Sequence, residues 1–245
     1  MRISVIALSS VIALSSVSAQ AGWKDWFKSI VSNEDKQTAA ALGQLSESKI
    51  VDGLRESLAI GAERTINLLG KPGGFLNSDL VRIPLPKELD KIAGPLRKAG
   101  QGKLVDTFES TLNIAAEKAV PHVASVFGDA IRELTLVDAR GILQGEDDAA
   151  TRFFERTASD KLAEKILPII EKATSDVGLT RQYKQLQSSL GPLMRFIRPD
   201  QVNLNQYVTN KALEGLFKQL EVEEKSIRSN PESRTTDLLR QVFSQ

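Results

Sequence analysis

The chain of 245 residues contains no cysteine and one histidine, His122. The absence of cysteine excludes disulfides, thiolate metal sites and a cysteine nucleophile, so burial and helix packing must stabilise the fold. A hydrolytic triad would depend on His122 alone, which follows a proline in an otherwise apolar helical pattern. A surface or hydrogen-bonded structural histidine is therefore the simpler interpretation.

Short catalytic and nucleotide-binding motifs are also absent, including the Walker loop, H-E-x-x-H and G-x-S-x-G. The chain has 32 basic and 31 acidic side chains, and Arg2 is the only charged residue among the first 21. Without these first residues the charge is balanced, which argues against a general electrostatic attraction to nucleic acid. The sequence thus predicts no cofactor and no nucleic-acid partner, and it gives no support for an enzyme.

Only one long apolar run is present, at residues 3–17. It follows Met1 and Arg2, contains VIALSS twice in tandem, and ends in small residues that allow cleavage after Ala19 or Ala21. These features are typical of a secretory signal peptide, and the run is shorter than the roughly 20 apolar residues that a membrane-spanning helix needs. We therefore predict that residues 1–21 are a signal peptide that directs export.

The next segment, residues 22–45, contains both tryptophans of the chain in the sequence WKDWFKSIV and continues as a polar linker. Helical spacing places Trp23, Trp26, Phe27 and Ile30 near one face. This face could contact a membrane interface, where indole rings are favoured, or it could fold back on the protein's own core. The sequence leaves both alternatives open.

Residues 46–245 show apolar residues at steps of three and four in most segments, which predicts a single all-α domain of about eight to ten helices in a bundle. Residues 79–86, DLVRIPLP, interrupt this pattern, because Pro84 and Pro86 disfavour a helix. We predict a short extended strap here, with Arg82 paired to an acid from another helix. In the last long helix, Glu221, Glu224 and Lys225 are predicted to face solvent.

A polar row, formed by Glu109, Asn113 and Glu117 at steps of four, lies on one face of a predicted helix. Carboxylates in such a row could form half of a di-metal site, but that site normally requires Glu-x-x-His pairs and the chain has one histidine. A solvated or ion-paired face is therefore favoured.

The densest local signal is residues 135–157, TLVDARGILQGEDDAATRFFERT. Thr135 and Asp138 have the spacing of a capping box. Gly145 is predicted to end a short helix in a left-handed conformation, and the acids that follow it are placed to favour the next helix dipole. An EF-hand would need a different order of acids. The candidate binding residues are Asp138, Asp147, Asp148 and Arg152 in this stretch, together with Arg82; internal ion pairing with Arg140, Arg152 and Arg156 is the structural alternative.

Several motifs in the same order resemble the uncharacterised bacterial family called domain of unknown function 4197: GLRESLAIGAERTINLLG, GFLNSDLVRIPLP, NIAAEKAVP, DARGILQGEDDAATRFFERT and YVTNKALEGLF followed by EEKSIRSNP. The resemblance covers residues 48–243. It implies a signal-bearing, all-helical envelope protein of Gram-negative bacteria, with no established activity to carry over.

Taken together, these features predict a periplasmic, non-catalytic binding or scaffold protein whose partner is a protein or an apolar small molecule. One alternative is a peripheral membrane or lipid-binding protein anchored by Trp23, Trp26 and Phe27. A second alternative is a metal-dependent hydrolase, which would require acids from distant segments to converge.

Overall fold

The computed structural model describes residues 47–189, 203–233 and 240, and the regular secondary structure in these ranges is helical. The α-helices are α1 (Glu47–Leu69), α2 (Lys87–Leu96), α3 (Gly102–Ala119), α4 (Ala124–Arg132), α5 (Leu136–Leu143), α6 (Ala149–Asp176), α7 (Leu179–Ser189) and α8 (Leu204–Ser229). A kinked segment (Arg97–Gln101), in which Gly100 has a φ of +79°, joins α2 to α3, and 3₁₀ turns follow α3 (Val120–Val123) and α8 (Pro231–Ser233). The predicted all-α class is confirmed for these ranges.

The predicted signal peptide (1–21) and aromatic segment (22–45), with Trp23, Trp26 and Phe27, lie outside the described residues. The count of eight to ten helices and the single domain over 46–245 stay predictions, since both include residues beyond these ranges.

Glycine and proline mark several of the breaks between helices. Glycine permits positive φ angles and close contacts, and proline has no backbone N–H to donate within a helix. Helix α1 ends one residue before Gly70, where a Cβ atom would lie 2.8 Å from Pro121 Cγ. Gly178, between α6 and α7, has a φ of +73°, which favours glycine. Pro121 lies in the 3₁₀ turn after α3, and the next helix, α4, starts three residues later at Ala124. These breaks set the lengths of the helices that pack around the core.

Helix α8 packs against α1, α3 and α6. The ring of Phe127 on α4 meets Phe154 on α6 and Phe217 on α8, with ring centroids 5.6 Å and 6.4 Å apart. All three side chains are buried, and both ring pairs are edge-on, a favourable aromatic geometry. The aromatic contacts therefore fix α4 and α6 relative to α8.

The connection between α1 and α2, residues 70–86, lies between α3 and α8. The buried carboxylate of Glu117 on α3 accepts hydrogen bonds from the backbone N–H groups of Phe75 and Leu76, both at 3.1 Å. On the other side, a Cβ atom at Gly215 of α8 would lie 2.8 Å from the Phe75 ring. The absence of a side chain at Gly215 thus leaves the space that Phe75 occupies.

Further along this connection, residues 82–86 have no regular secondary structure and are bound by the rest of the polar row. The Asn113 side chain accepts a hydrogen bond from the Ile83 N–H (2.8 Å) and donates one to the Ile83 carbonyl (2.9 Å), as a neighbouring strand would. Arg82 Nε lies 2.9 Å from Glu109 Oε1, which confirms that Arg82 pairs with an acid from another helix. The polar row therefore holds this connection in place.

Candidate functional site

A groove of about 780 Å³ runs between α4 and α6. Its apolar floor is formed by Val126, Ala130, Phe153 and Ala158, and Pro168 marks one end. The α6 residues that line it extend from Phe153 to Pro168, which corresponds to about 22 Å along a helix. Sites for small molecules typically enclose about 300–1,000 Å³, so the groove has the size of a ligand site.

Charged side chains of both signs surround the apolar floor. They comprise four acids and three bases: Asp129, Arg132, Glu133, Asp138, Lys161, Glu164 and Lys165. Asp129 pairs with Arg132 along α4, whereas Lys161 Nζ lies 3.6 Å from Glu133 Oε2 and connects the two walls. Exposed ion pairs of this kind contribute only about 0–1 kcal/mol. These charges can therefore exchange their partners for a ligand at small cost.

The turn between α4 and α5 positions one end of the groove. The Thr135 side chain accepts a hydrogen bond from the Asp138 N–H (3.2 Å), and Asp138 Oδ2 accepts one from the Thr135 N–H (3.1 Å), so the predicted capping box is confirmed. From α1, the Arg55 guanidinium donates to the carbonyl oxygens of Arg132 (3.1 Å) and Leu134 (2.9 Å). Both interactions fix the backbone where α4 ends and α5 begins.

The start of α6, which forms the other wall, is capped by a carboxylate from α8. Glu224 accepts hydrogen bonds from the N–H groups of Ala150 (2.9 Å) and Thr151 (2.8 Å), and from the Thr151 hydroxyl (2.8 Å). It also pairs with Arg228 at 2.9 Å, and Arg228 donates to the Ile142 carbonyl at the end of α5. This buried pair joins the end of α5 and the start of α6 to α8.

Two predictions about this region were wrong. Glu224 was expected to face solvent, but it is 9% exposed, since it continues the buried stripe between Leu220 and Ile227. Gly145 does not adopt a left-handed conformation. A Cβ atom there would instead lie 2.6 Å from Ala149 Cβ, so glycine is needed for the close approach of α5 and α6.

The structure separates the five candidate binding residues. Asp138 lies on the groove rim, although one of its oxygens is engaged in the capping box. Asp148 and Arg152 form an ion pair at 2.8 Å at the start of α6, and Asp147 is exposed nearby. Arg82 is bound to Glu109. Asp147, Asp148, Arg152 and Arg82 do not line the groove, and a binding role for any of the five stays a prediction.

Sequence reasoning missed the positions that α6 contributes to the rim. Thr157, Lys161 and Lys165 recur at steps of four beside the buried Ala158 and Leu162. This spacing places all three on one face next to the apolar stripe. The spacing is visible in the sequence, but the sequence does not show that α4 packs beside this face and forms the opposite wall of the groove.

Tyr207 on α8 lies outside the groove and donates a hydrogen bond to the Pro84 carbonyl at 2.9 Å. Burial, followed by the negative charges of Glu214 and Glu109, raises its pKa to about 12. Tyr207 is therefore a neutral donor that ties α8 to the α1–α2 connection.

Among the described residues, no three His, Asp or Glu side chains are grouped so that they could hold a metal ion. In the same ranges, none of the helices combines the length and apolar character required to cross a bilayer.

Comparison with known proteins gives a family but no relative of known activity. No curated protein and no solved structure matches the chain. A model of the family described as "Protein of unknown function (DUF4197)" matches residues 44–244, which is most of the chain. The chain therefore belongs to the DUF4197 family.

Proposed function

We propose that this chain is an exported, non-catalytic binding protein and that the groove between α4 and α6 is its ligand site. The observation that carries the proposal is the combination of an apolar floor with a rim of both signs in a space of about 780 Å³. Such a lining suits a small molecule with an apolar body and a charged group, since the body removes apolar area from water and the rim can pair with the charge.

Binding explains the groove better than catalysis does. Two pairs of rim charges are engaged with each other, and Asp138 serves in a capping box. The exposed His122 is not among the residues that line the groove, so no general base of that type faces the floor. A metal-dependent hydrolase would need a cluster of metal ligands, and the described ranges contain none.

The proposed location is the periplasm, and it depends on the apolar run at residues 3–17. Fractionation of a Gram-negative host that expresses the full chain tests this directly. Release of a shortened form with the periplasmic fraction is expected, and full-length protein retained in the cytoplasm would contradict export.

The ligand site can be tested with N-phenyl-1-naphthylamine, an uncharged apolar probe whose fluorescence rises when it leaves water. Thr157 lines the groove and is exposed, so Thr157→Arg places a long charged side chain over the floor without altering the core. Thr107→Arg on α3 is the matched control, because both threonine hydroxyls bond the carbonyl four residues earlier in their helix.

We expect saturable probe binding to the processed chain, a dissociation constant about tenfold higher or more for Thr157→Arg, and no change for Thr107→Arg. Equal binding by the two variants would refute the groove as the ligand site. Vesicle co-sedimentation of the Trp23→Ala/Trp26→Ala variant tests the membrane alternative, which is supported only if that variant loses binding.

A further inference from the structure

We propose that residues 23–31 of this same chain occupy the groove between α4 and α6 when no ligand is bound. The proposal rests on the proposed function, because it concerns the same site and makes the N-terminal aromatic segment its internal competitor. The sequence left two alternatives open for this segment, contact with a membrane surface and packing against the protein itself. The proposal corresponds to the second.

The dimensions of the segment fit the groove. Residues 23–31, if helical as their spacing predicts, are about 14 Å long, whereas the α6 wall of the groove extends for about 22 Å. The segment's apolar face carries Trp23, Trp26, Phe27 and Ile30, and the groove offers a floor of aliphatic and phenyl groups. An amphipathic helix that lays its apolar face into a groove is a common recognition mode.

The segment can also reach the groove. Helix α1 begins at Glu47, eight residues or about 12 Å before Arg55. Arg55 is bonded to the carbonyl oxygens of Arg132 and Leu134, at the end of α4. The chain therefore enters the described fold close to one end of the groove. Residues 32–46 can span at most about 50 Å, several times the roughly 12 Å of helix between Glu47 and Arg55.

Charge favours the same arrangement. The groove rim has one more acid than it has bases, and the segment carries Lys24 and Lys28 against one acid, Asp25. A tether of this length raises the effective concentration of the segment at the groove to the order of millimolar. A ligand must displace the segment, so the apparent affinity of a ligand is reduced by the fraction of chains in which the groove is free.

The chain provides its own reporter for this docking, because Trp23 and Trp26 are its only tryptophans. The experiment measures tryptophan emission and acrylamide quenching of the processed chain and of the Thr157→Arg, Thr157→Phe and Thr107→Arg variants. Thr157→Phe fills the same space without a charge, so a folding defect peculiar to the arginine variant would be recognised, and circular dichroism checks that each variant is folded.

We expect blue-shifted, poorly quenched emission for the processed chain and for Thr107→Arg, and a red shift with stronger quenching for both Thr157 variants. Solvent-like emission from the processed chain, or identical emission from all four proteins, would overturn the proposal. A blue shift that disappears on dilution would also overturn it, since the segment would then be bound by a second copy.

Failure of this proposal is distinguishable from failure of the proposed function. If Thr157→Arg weakens binding of the naphthylamine probe but leaves tryptophan emission unchanged, the ligand site stands and the internal competitor is wrong. If tryptophan emission responds but the probe binds neither the processed chain nor the Trp23→Ala/Trp26→Ala variant, the segment docks and the ligand site is wrong. If the groove is the ligand site and the segment is its internal competitor, the double variant should bind the probe more tightly than the processed chain does.

Discussion

Replacement of Glu224 by alanine is expected to be among the most destabilising single changes near the groove. The carboxylate accepts hydrogen bonds from the N–H groups of Ala150 and Thr151 and from the Thr151 hydroxyl, and it pairs with Arg228 at 2.9 Å. Glu224→Ala removes the acceptor for all of these donors at once. The first turn of α6 would then have two buried N–H groups without a partner.

The expected loss follows from burial. The Arg228 and Glu224 side chains are 11% and 9% exposed, and removal of one partner of a buried ion pair costs about 3–5 kcal/mol. Arg228 keeps its hydrogen bond to the Ile142 carbonyl, which reduces the cost of losing the ion pair. We therefore expect a loss near the lower limit, about 3 kcal/mol.

Urea unfolding of the processed chain, followed by circular dichroism, measures this loss. Glu221→Ala is the matched control, because Glu221 forms an ion pair with Lys225 at the same spacing on the same helix, but with 36% and 50% of the two side chains exposed. The control should cost about 0.3–0.5 kcal/mol. If Glu224→Ala costs no more than Glu221→Ala, the interpretation of Glu224 as the cap of α6 is refuted.

Three further predictions concern the same fold. Gly145→Ala should destabilise the folded state by about 1–3 kcal/mol, since its Cβ would lie 2.6 Å from Ala149 Cβ. Gly141→Ala should stabilise it by about 0.5–1 kcal/mol, because a Cβ atom there meets nothing within 4 Å inside helix α5. Thermal unfolding of both variants checks the difference in sign. Thr209→Val should be neutral or stabilising by up to about 1 kcal/mol, because the buried Thr209 hydroxyl has no hydrogen-bond partner among the described residues; a clear loss of stability in urea unfolding would contradict this. In a Tyr183→Phe background, Tyr207 should ionise with a pKa of about 12 when folded and near the ordinary value of 10.0 in urea, as read from tyrosinate absorbance. The folded state holds this proton more tightly, so the contribution of Tyr207 to stability is full below pH 10.0 and is lost as the pH rises through about 12; equal folded and unfolded midpoints would contradict it.

Local signals in the sequence predicted local features of the fold. Thr135 and Asp138 form the capping box that their spacing indicates. This feature depends on two residues three positions apart, where hydrogen-bond geometry decides the outcome.

Features that depend on distant contacts were predicted less well. Glu224 was assigned to solvent because a carboxylate normally faces water, although its position between Leu220 and Ile227 places it on the buried face. Only the approach of α6, some 74 positions away in sequence, supplies the N–H groups that satisfy it. The polar row on α3 was expected to be a solvated or ion-paired face, and this holds only for Glu109, which pairs with Arg82. Asn113 and Glu117 are buried and bind backbone groups of the α1–α2 connection, which carry no side-chain signal in the sequence.

The groove itself could not be predicted, because it requires α4 and α6 to lie side by side. Asp138 was a candidate because it lies in a stretch rich in acids. In the structure it lies on the groove rim because the capping box holds it at the start of α5. Lys161 and Glu133 were not predicted to be part of a site, because they are distant in sequence. Their ion pair connects the two walls of the groove.

The claim that the groove is the ligand site is tested most directly by amide chemical-shift mapping of the processed, isotope-labelled chain during titration with N-phenyl-1-naphthylamine. We expect the perturbed amides to cluster at residues 126–138 and 153–168, the two stretches whose side chains line the groove. Perturbations confined to other helices, or no perturbation at saturating probe, would contradict the assignment of the groove as the ligand site.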